Sequence, residues 1–427
     1  MLARLLYSLL FYLAIPLVLY RLHVRGKKNP AYQERKRERF GLYDGRFDKA
    51  PIARSVWVHT VSVGELIAAQ PLIEQLLLDY PDYPVVVTTM TPTGSDRVKA
   101  AFGDRVLHVY LPYDLPDAMK RFFDTFKPLV SVVMETELWP NMIHCAASRN
   151  IPVIVANARL SERSAEGYSK VKLLVRPMLR EIKTIAAQAP RDGQRFVELG
   201  LPPASLQVIG TVKFDLTIDD QLKQQSADLR RRWGEDRPVL IAASTHEGED
   251  AQVLRAFKHI RATLDNALLV IVPRHPERFD DVALLVEQRG WTLARHSKSQ
   301  VVTPETGVVL GDTMGDLLLL LGASDVAFIG GSLEPVGGHN MLEALAVGTP
   351  AITGPHVINF KVVADLLSEL GVLATVTTPL GLGQTALSIL QDRQCHKALA
   401  EKGLKVVEDN RGAMGRLMDI IHQSLPI

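Results

Sequence analysis

Cysteine is scarce in this sequence, and the common metal-binding motifs are missing from it. The chain of 427 residues has two cysteines, Cys145 and Cys395, which make neither a disulfide framework nor a zinc-ligand pattern. It has no HExxH motif, no paired CxxC motif and no Asp-x-Asp of the type that holds a metal against a diphosphate. These absences favour a reducing compartment, and we predict that no metal ion and no other cofactor is required.

The chain also lacks a large net charge. Its formal charge of +2 argues against a protein that binds nucleic acid over its whole surface. No segment is low in complexity, and no repeat of fixed period is visible. A length of 427 residues is enough for roughly two or more domains with large cores.

One long apolar run lies near the N-terminus, at residues 5–20, LLYSLLFYLAIPLVLY. It carries no charged side chain, and its 16 residues are fewer than the ~20 that cross a bilayer comfortably. No small-residue cleavage site follows it, which argues against a cleaved signal peptide. We predict an uncleaved anchor that either spans the bilayer or lies in its interface.

Basic residues are concentrated on one side of this run. Arg4 precedes it, and eight basic side chains follow it: Arg21, Arg25, Lys27, Lys28, Arg35, Lys36, Arg37 and Arg39. The positive-inside rule then places everything from residue 21 onward in the cytoplasm. The same basic tract suits anionic headgroups, which attract each basic residue near the surface by about 1 kcal/mol.

From residue 55 onward, short apolar runs alternate with amphipathic ones, as in two doubly wound α/β domains. The first series of predicted strands is VWVH, VVVTTM, VLHVYLP, LVSVVM, PVIVANA, TIAAQA and LQVIGTV. The second series is VLIAAST, ALLVIVPR, GVVLGD, VAFIGGS, PAIT and VLATVTT. The predicted boundaries are an anchor at 1–40, a first domain at 41–213, a polar linker or exposed helix at 214–236, and a second domain at 237–427.

The stretch 326–355 combines an apolar strand, a glycine loop and the helical pattern NMLEALAV. Such a combination is typical of a phosphate cradle, because glycines allow close approach and free N–H groups at a helix start face the anion. Glu343 lies in the first helical turn, where its carboxylate suits ribose hydroxyls. The alternative is that the glycines are only turn residues and that Glu343 only balances the helix dipole. A second glycine-containing stretch, GLGQTA at 381–386, is interpreted as a turn.

Glu65 ends the motif His59-Thr-Val-Ser-Val-Gly-Glu65, which joins the first strand to the first helix of the first domain. Ser62 and Glu65 match a capping box, in which Glu65 only bonds back to the N-cap amide. The other interpretation is a functional carboxylate. At a helix start the dipole is expected to lower the pKa of Glu65, which weakens it as a base.

Two more carboxylates, Glu135 and Glu137, follow the strand LVSVV. Acids directly after an apolar strand need partners, because burying an unpaired carboxylate costs several kcal/mol. Lys213, in the motif TVKFD, is a candidate cation, although taken alone it is better explained by a surface salt bridge. In the second domain Arg274 follows a strand and suits a phosphate or a carboxylate. Met314, Gly315 and Asp316 follow another strand in GDTMGD, whose backbone suits a base or a sugar; the alternative is a plain turn and helix cap.

Taken together and in this order, these motifs resemble those of the transferases of 3-deoxy-D-manno-octulosonic acid (Kdo) in lipopolysaccharide assembly. The resemblance covers essentially the whole chain and rests on HTVSVGE, TTMTPTGS, METELWPN, NARLSERS, VKFD, STHEGE, PRHPER, GDTMG and GGSLxxxGGHNxLE. It implies the glycosyltransferase B architecture, with two Rossmann-like domains facing across a cleft and a final helix that returns to the first domain. It also implies transfer of Kdo from CMP-Kdo to an anionic, tetra-acylated, bis-phosphorylated lipid A precursor at the cytoplasmic leaflet.

The resemblance also implies roles for single residues. Glu65 corresponds to the general base, and Glu135 and Lys213 to the pair that stabilises charge in the transition state. The segments that correspond to the CMP-binding segments are Pro273 and Arg274; Met314, Gly315 and Asp316; and Asn340, Met341, Leu342 and Glu343. Family members typically have glutamate where Asp316 stands, so the reach of that side chain to a nucleotide is shorter here.

Two other functions are compatible with the same elements. One is a membrane-associated transferase of this architecture that uses a UDP-sugar, and the other is a non-catalytic sensor of nucleotide-sugars. Members that add one Kdo unit and members that add several share these motifs. The number of units is therefore left open, as is the oligomeric state.

Overall fold

The computed structural model divides the chain into two compact units. It describes residues 2–43, 45, 47, 52–216 and 218–425, except for the side chain of Lys28. The first unit comprises Met1–Asp215 together with Arg411–Ile427, and the second comprises Leu216–Asn410. The passage 214–236 contains a helix of 14 residues that belongs to the second unit.

In the first unit, strands and helices alternate after a long N-terminal helix. Its elements are α1 (Leu2–Lys28), β1 (Ser55–His59), α2 (Val63–Asp79), β2 (Val85–Thr89), α3 (Pro92–Phe102), β3 (Leu107–Tyr110), α4 (Pro116–Phe126), β4 (Pro128–Met134), α5 (Pro140–Ala147), β5 (Val153–Ala158), α6 (Glu162–Ser169), α7 (Lys172–Arg180), β6 (Thr184–Ala187), α8 (Pro190–Leu199) and β7 (Leu206–Val208). The second unit continues with α9 (Asp220–Trp233), β8 (Val239–Thr245), α10 (Glu249–Arg261), β9 (Leu268–Pro273), α11 (Phe279–Gln288), β10 (Leu293–Arg295), β11 (Val308–Leu310), α12 (Leu317–Gly322), β12 (Val326–Ile329), α13 (Leu342–Ala346), β13 (Ala351–Thr353), α14 (Lys361–Glu369), β14 (Leu373–Thr375), α15 (Pro379–Gln391) and α16 (Arg393–Asp409). The last helix, α17 (Ala413–Ser424), belongs to the first unit.

Each unit is built on a parallel sheet of seven strands. The strand order is β3-β2-β1-β4-β5-β6-β7 in the first and β10-β11-β9-β8-β12-β13-β14 in the second. The central strands are valine-rich and buried on both faces, as parallel sheets require when helices cover both sides. The predicted α/β fold class is therefore confirmed, and each sheet has one switch point where the strand order reverses: between β1 and β4, and between β8 and β12.

The side chains of β1 alternate between the two faces of the sheet, so this strand contributes to two hydrophobic cores. Trp57 points to the face covered by α4, α5, α7 and α8, where it packs against Phe122 at 4.7 Å between ring centroids. Val56 and Val58 point to the opposite face, covered by α2, α3 and α17. With all three side chains fully buried, β1 is held in register and its carboxyl end, where the motif of Glu65 begins, is fixed.

Two predictions about local structure are wrong. The second sheet has a seventh strand, β10, which is only three residues long and whose sequence Leu-Ala-Arg carries no apolar run. The stretch 381–386 is not a turn but part of α15. Gly383 is needed there because a Cβ would lie 2.9 Å from the carbonyl oxygen of Ala256 in α10, so the glycine permits close packing of two helices.

The predicted N-terminal apolar helix is present as α1. Among the described residues, one helix is long and apolar enough to cross a membrane; it covers 26 residues, Leu2–Lys27, with a mean hydropathy of 2.0.

Candidate functional site

The predicted acidic residues of the first unit meet at its switch point. Glu65 lies in the first turn of α2, directly after β1, and Glu135 is the first residue after β4. Because β1 and β4 are neighbours in the sheet, the two carboxylates are brought to the same edge. Ligands of open α/β sheets bind beyond the carboxyl ends of strands at such points.

Glu65 makes the hydrogen bonds of a helix cap. Its Oε2 accepts a hydrogen bond from the backbone N–H of Val61 at 2.8 Å, and its Oε1 accepts one from the hydroxyl of Ser62 at 2.9 Å. The Ser62 oxygen in turn accepts from the N–H of Glu65 at 3.3 Å. The capping interpretation is therefore correct in its chemistry, although the carboxylate reaches the amide before the N-cap residue. Each carboxylate oxygen keeps a second lone pair, so capping leaves Glu65 able to accept a proton.

The predicted direction of the pKa shift of Glu65 is wrong. Burial is the largest influence, and together with the nearby charges of Glu135 and Glu137 it raises the pKa of Glu65 to about 7, although the bonds from Val61 and Ser62 oppose it. Only 8% of the surface of Glu65 is exposed. The hydration energy that the carboxylate loses on burial therefore exceeds the stabilisation that it gains from the two hydrogen bonds and from the helix start. A carboxylate with a pKa near neutrality is well matched to general-base chemistry.

Glu135 has a backbone conformation that is rare for a side chain of its kind. Its φ is +56°, in the left-handed region, while its N–H still bonds to the carbonyl of Ala156 in β5 at 2.9 Å. The strand therefore ends at Met134, and Glu135 lies beyond the regular strand backbone. Strained backbone of this kind is typically found at functional sites, where the surrounding structure holds it in place. Glu137 accepts a hydrogen bond from the indole of Trp139 at 2.9 Å, and burial raises the pKa of Glu137.

Lys213 lies close to Glu135, as the sequence predicted, and close to a second cation. It belongs to a short 3-10 turn, Val212–Phe214, whose first N–H is directed at Oδ1 of the buried Asn157 at 3.4 Å. Burial lowers the pKa of Lys213, the negative charge of Glu135 raises it, and the positive charge of Arg159 lowers it. Sequence reasoning did not single out Arg159; its position directly after β5, at the same edge of the sheet, was the available signal.

In the second unit, two histidines 93 residues apart in sequence meet at the switch point. His246 follows β8 and His339 lies in the loop after β12; their Nε2 atoms are 2.8 Å apart and their rings are stacked within 6°. One proton must lie between the two nitrogens, so one ring donates and the other accepts. Burial and the neighbouring positive charges lower the pKa of His246 and lower the pKa of His339 to about 4, which keeps the pair neutral at physiological pH. Both rings pack over Gly331, where a Cβ would lie 3.0 Å from His339.

Arg274 lies beside this histidine pair, directly after Pro273 at the end of β9. Its positive charge acts on His246, on His339 and on the buried carboxyl of Glu343, whose pKa is raised by burial and lowered by Asn340 and Arg274. The amide of Asn340 donates to Glu343 at 3.3 Å. The structure therefore brings together four of the predicted donor-site residues, and His275 joins them through a ring contact with His246 at 5.3 Å.

Part of the predicted phosphate cradle is occupied by a carboxylate of the protein itself. Glu249, fully buried at the start of α10, accepts hydrogen bonds from four backbone N–H groups. They belong to His246 at 2.9 Å, Gly331 at 2.6 Å, Ser332 at 2.9 Å and Leu333 at 2.9 Å. These glycine-loop amides hold a protein carboxylate, so an anionic ligand cannot also use them. Glu249 instead fixes the loop and the histidine pair as one rigid element.

The remaining predicted donor-site residues lie at the same edge with different exposure. Met314 is 63% exposed and Gly315 has a φ of +102°, while Asp316 lies 3.4 Å from Nε2 of His296. Met341 and Leu342 are fully buried, and the N–H of Leu342 donates to Oδ1 of Asn340 at 3.2 Å. The helix that they begin, α13, has only five residues and contributes a small dipole.

No group of three or more His, Cys, Asp or Glu side chains is placed to hold a metal ion within the described part of the chain. The expectation that no metal is required stays a prediction.

Comparison with known proteins adds independent information. Residues 34–216 match the family described as 3-Deoxy-D-manno-octulosonic-acid transferase (kdotransferase). The 3-deoxy-D-manno-octulosonic acid transferase of Haemophilus influenzae is 44% identical over 419 residues, which is 98% of each chain. Among solved structures, UDP-GlcNAc 2-epimerase from Neisseria meningitidis has a TM-score of 0.57 at 14% identity, covering 87% of this chain and 100% of that one. A glycosyltransferase from Rickettsia africae has a TM-score of 0.53 at 12% identity, covering 88% of this chain and 99% of that one. The last two matches agree with the predicted glycosyltransferase B fold.

Proposed function

Because the chain belongs to the family of 3-deoxy-D-manno-octulosonic acid transferases, and is therefore a glycosyltransferase, we propose that it transfers Kdo from CMP-Kdo to the lipid A precursor. The acceptor is the tetra-acylated, bis-phosphorylated disaccharide, and the reaction takes place at the cytoplasmic face of the inner membrane. The observation that carries the proposal is Glu65, a buried carboxylate with a pKa of about 7 at the switch point of the first sheet.

Glu65 acts as the general base. It takes the proton from the acceptor hydroxyl while that oxygen forms a bond to the anomeric carbon of Kdo. The bond between this carbon and the phosphate oxygen breaks, and CMP leaves with the electron pair from the opposite side, so the configuration inverts. At neutral pH a group with this pKa is sufficiently ionised to accept the proton and basic enough to be driven to do so.

Glu135 and Lys213 stabilise the charge that develops at the anomeric carbon and at the leaving phosphate. A lysine held beside a carboxylate and partly buried keeps a fixed position, which makes its charge effective in a transition state. The left-handed backbone of Glu135 holds the carboxylate at the end of β4 rather than along the strand.

The second unit binds CMP-Kdo around Arg274. Its guanidinium matches a phosphate or the carboxylate of Kdo, and Glu343 with Asn340 matches the ribose hydroxyls. The neutral pair of His246 and His339 supplies a hydrogen-bond donor of fixed direction beside this cation.

The helix α1 attaches the enzyme to the membrane that contains its lipid acceptor. Its apolar residues provide the attachment, and the basic residues that follow favour the cytoplasmic side.

Two measurements test the proposed function. CMP should inhibit transfer competitively against the donor and UDP should not, whereas a UDP-sugar transferase would show the reverse. Glu65→Gln should bind CMP with unchanged affinity and lose transfer, because the base is removed and the second unit is untouched. If Glu65→Gln retained transfer, Glu65 would act only as a helix cap. If cells that carry Glu65→Gln had the same phenotype as cells with the unaltered protein, a non-catalytic sensor would be supported instead.

A further inference from the structure

The N-terminal helix α1 does not extend away from the first unit but lies along it. Near its start, Asn141 donates a hydrogen bond to the hydroxyl of the buried Ser8 at 3.0 Å, and one turn later Tyr12 donates to Asp117. Near its end, Gln33 donates to the carbonyl of His23 at 3.2 Å and Leu22 is buried. A helix of 27 residues is about 40 Å long, and its polar contacts with α4 and α5 lie in its first half, at Ser8 and Tyr12.

This packing is incompatible with a helix that crosses a bilayer. Spanning would carry Asn141 and Asp117 into hydrocarbon with α1, and polar groups buried there cost several kcal/mol each. The same contacts leave the opposite face of α1 uncovered. Its large exposed apolar residues cover this face and its borders: Leu2, Leu5, Leu6, Leu9, Leu10, Tyr12, Leu13, Leu17, Leu19, Tyr20 and Val24. A long apolar stripe of this kind is typical of a helix that lies in the plane of the membrane interface.

A second exposed apolar element is the junction between α6 and α7. The junction 170–174 between α6 and α7 exposes 49% of Val171 and 85% of Leu173. No large apolar side chain in the described part of the chain is more exposed than Leu173. Lys170 and Lys172 flank these two residues and are exposed, and α7 is in contact with α1. Alternating apolar and basic side chains suit the boundary between acyl chains and anionic headgroups.

Both elements lie at the edge of the sheet that carries the catalytic residues. The partners of α1, Asp117 and Asn141, are in the first turns of α4 and α5, so α1 runs along the carboxyl ends of the strands. Glu65 follows β1 at the same edge. A bilayer that contacts α1 and the junction therefore also lies beside the edge where a lipid acceptor is deprotonated.

We propose that α1 and the junction 170–174 form one continuous surface that binds an anionic bilayer, with α1 parallel to the membrane plane. This inference rests on the proposed function only in that the acceptor is a lipid; the membrane contact itself is independent of the chemistry.

The first test is binding of the full-length protein to vesicles of phosphatidylethanolamine and phosphatidylglycerol. The double variant Val171→Glu, Leu173→Glu should bind about tenfold or more weakly, because two apolar contacts are lost and two charges are repelled. The matched control is Leu78→Glu, which alters a 74% exposed leucine on the opposite face of the same unit and should bind like the unaltered protein. Equal binding by the double variant and the control would overturn the proposal.

The second test separates this surface from the chemistry. The double variant should lose transfer to acceptor in vesicles at least as strongly as it loses binding, and should retain transfer to acceptor dispersed in detergent micelles. If the unaltered protein transfers nothing even in micelles, the proposed function fails while the vesicle result still decides the surface. If the double variant is equally inactive in micelles, its defect is not in membrane contact and the surface is refuted.

The third test measures depth. Fluorescent probes on cysteines replacing Leu5, Leu17 and Leu173, with Cys145 and Cys395 changed to serine, should be quenched by brominated lipids at one shared shallow depth. Different depths for residues 5 and 17 would show a spanning helix and contradict the proposal. A self-association in solution that the double variant abolishes would assign the patch to a second copy of this chain, and would contradict it as well.

Discussion

The raised pKa of Glu65 leads to a prediction about both stability and rate. Its pKa is raised from 4.5 to about 7 by burial, so the folded protein holds this proton more tightly than the unfolded chain does. The contribution of Glu65 to stability is therefore greatest below pH 4.5 and is lost as the pH rises through 7. A shift of this size corresponds to about 3 kcal/mol.

Glu65→Gln removes this dependence, because the amide oxygen still accepts the hydrogen bond from Val61 and carries no charge to bury. We expect the variant to be more stable than the unaltered protein at pH 8.5, by up to about 3 kcal/mol, and to lose this advantage at pH 4.5. The assay is thermal unfolding at both pH values, followed by a probe in the first unit. Activity should fall by about 10²–10⁴-fold, so the more stable variant is the inactive one.

The pH dependence of transfer by the unaltered protein completes this prediction. The value of kcat/KM should rise about tenfold per pH unit below an apparent pKa of about 7 and then level off. Glu74→Gln is the matched control, since Glu74 is on the same helix but exposed and paired with Arg105 at 2.6 Å. An inflection near pH 4.5, or a Glu65→Gln variant with lower stability at pH 8.5 than the unaltered protein, would refute the reasoning.

Three further predictions concern the other charged and hydrogen-bonded groups. His339→Phe should raise the donor KM about tenfold, because it removes the hydrogen bond to His246. His339→Gln restores a hydrogen bond and should bring the KM most of the way back to that of the unaltered protein. Equal KM values for the two variants would exclude a positioning role. Glu249→Gln should lower the melting temperature of the second unit and weaken CMP binding measured by calorimetry, because an amide cannot accept four N–H groups; unchanged binding would separate the glycine loop from the donor site. In steady-state assays, Lys213→Met should lower kcat by about 10²-fold with a smaller change in donor KM. An effect on KM alone would instead assign the lysine to donor binding.

The sheets could be predicted from the sequence because parallel strands buried on both faces have to be continuous apolar runs. The runs VWVH and VVVTTM become β1 and β2, and thirteen of the fourteen strands were predicted in this way. The exception, β10, is an edge strand of three residues, and at an edge one apolar position is enough. The candidate site residues come from motifs at or near the carboxyl ends of strands, and their roles come from the resemblance to Kdo transferases.

What the sequence could not supply is the environment of each group. The position of Glu65 at a helix start predicts a low pKa, and only the packing around it shows that desolvation dominates. The glycine loop has the composition of an anion cradle, but whether its amides are available depends on Glu249, 82 residues earlier in sequence. The contact of His246 with His339 joins residues that are 93 apart in sequence, and it has no local signature.

The most direct test of the central claim is the mass of the product formed from CMP-Kdo and the tetra-acylated, bis-phosphorylated lipid precursor. The unaltered protein should add one or more whole Kdo units to the lipid and release CMP, and Glu65→Gln should add none. A lipid of unchanged mass with the unaltered protein, or addition of a sugar only when a UDP-sugar is supplied, would contradict the account.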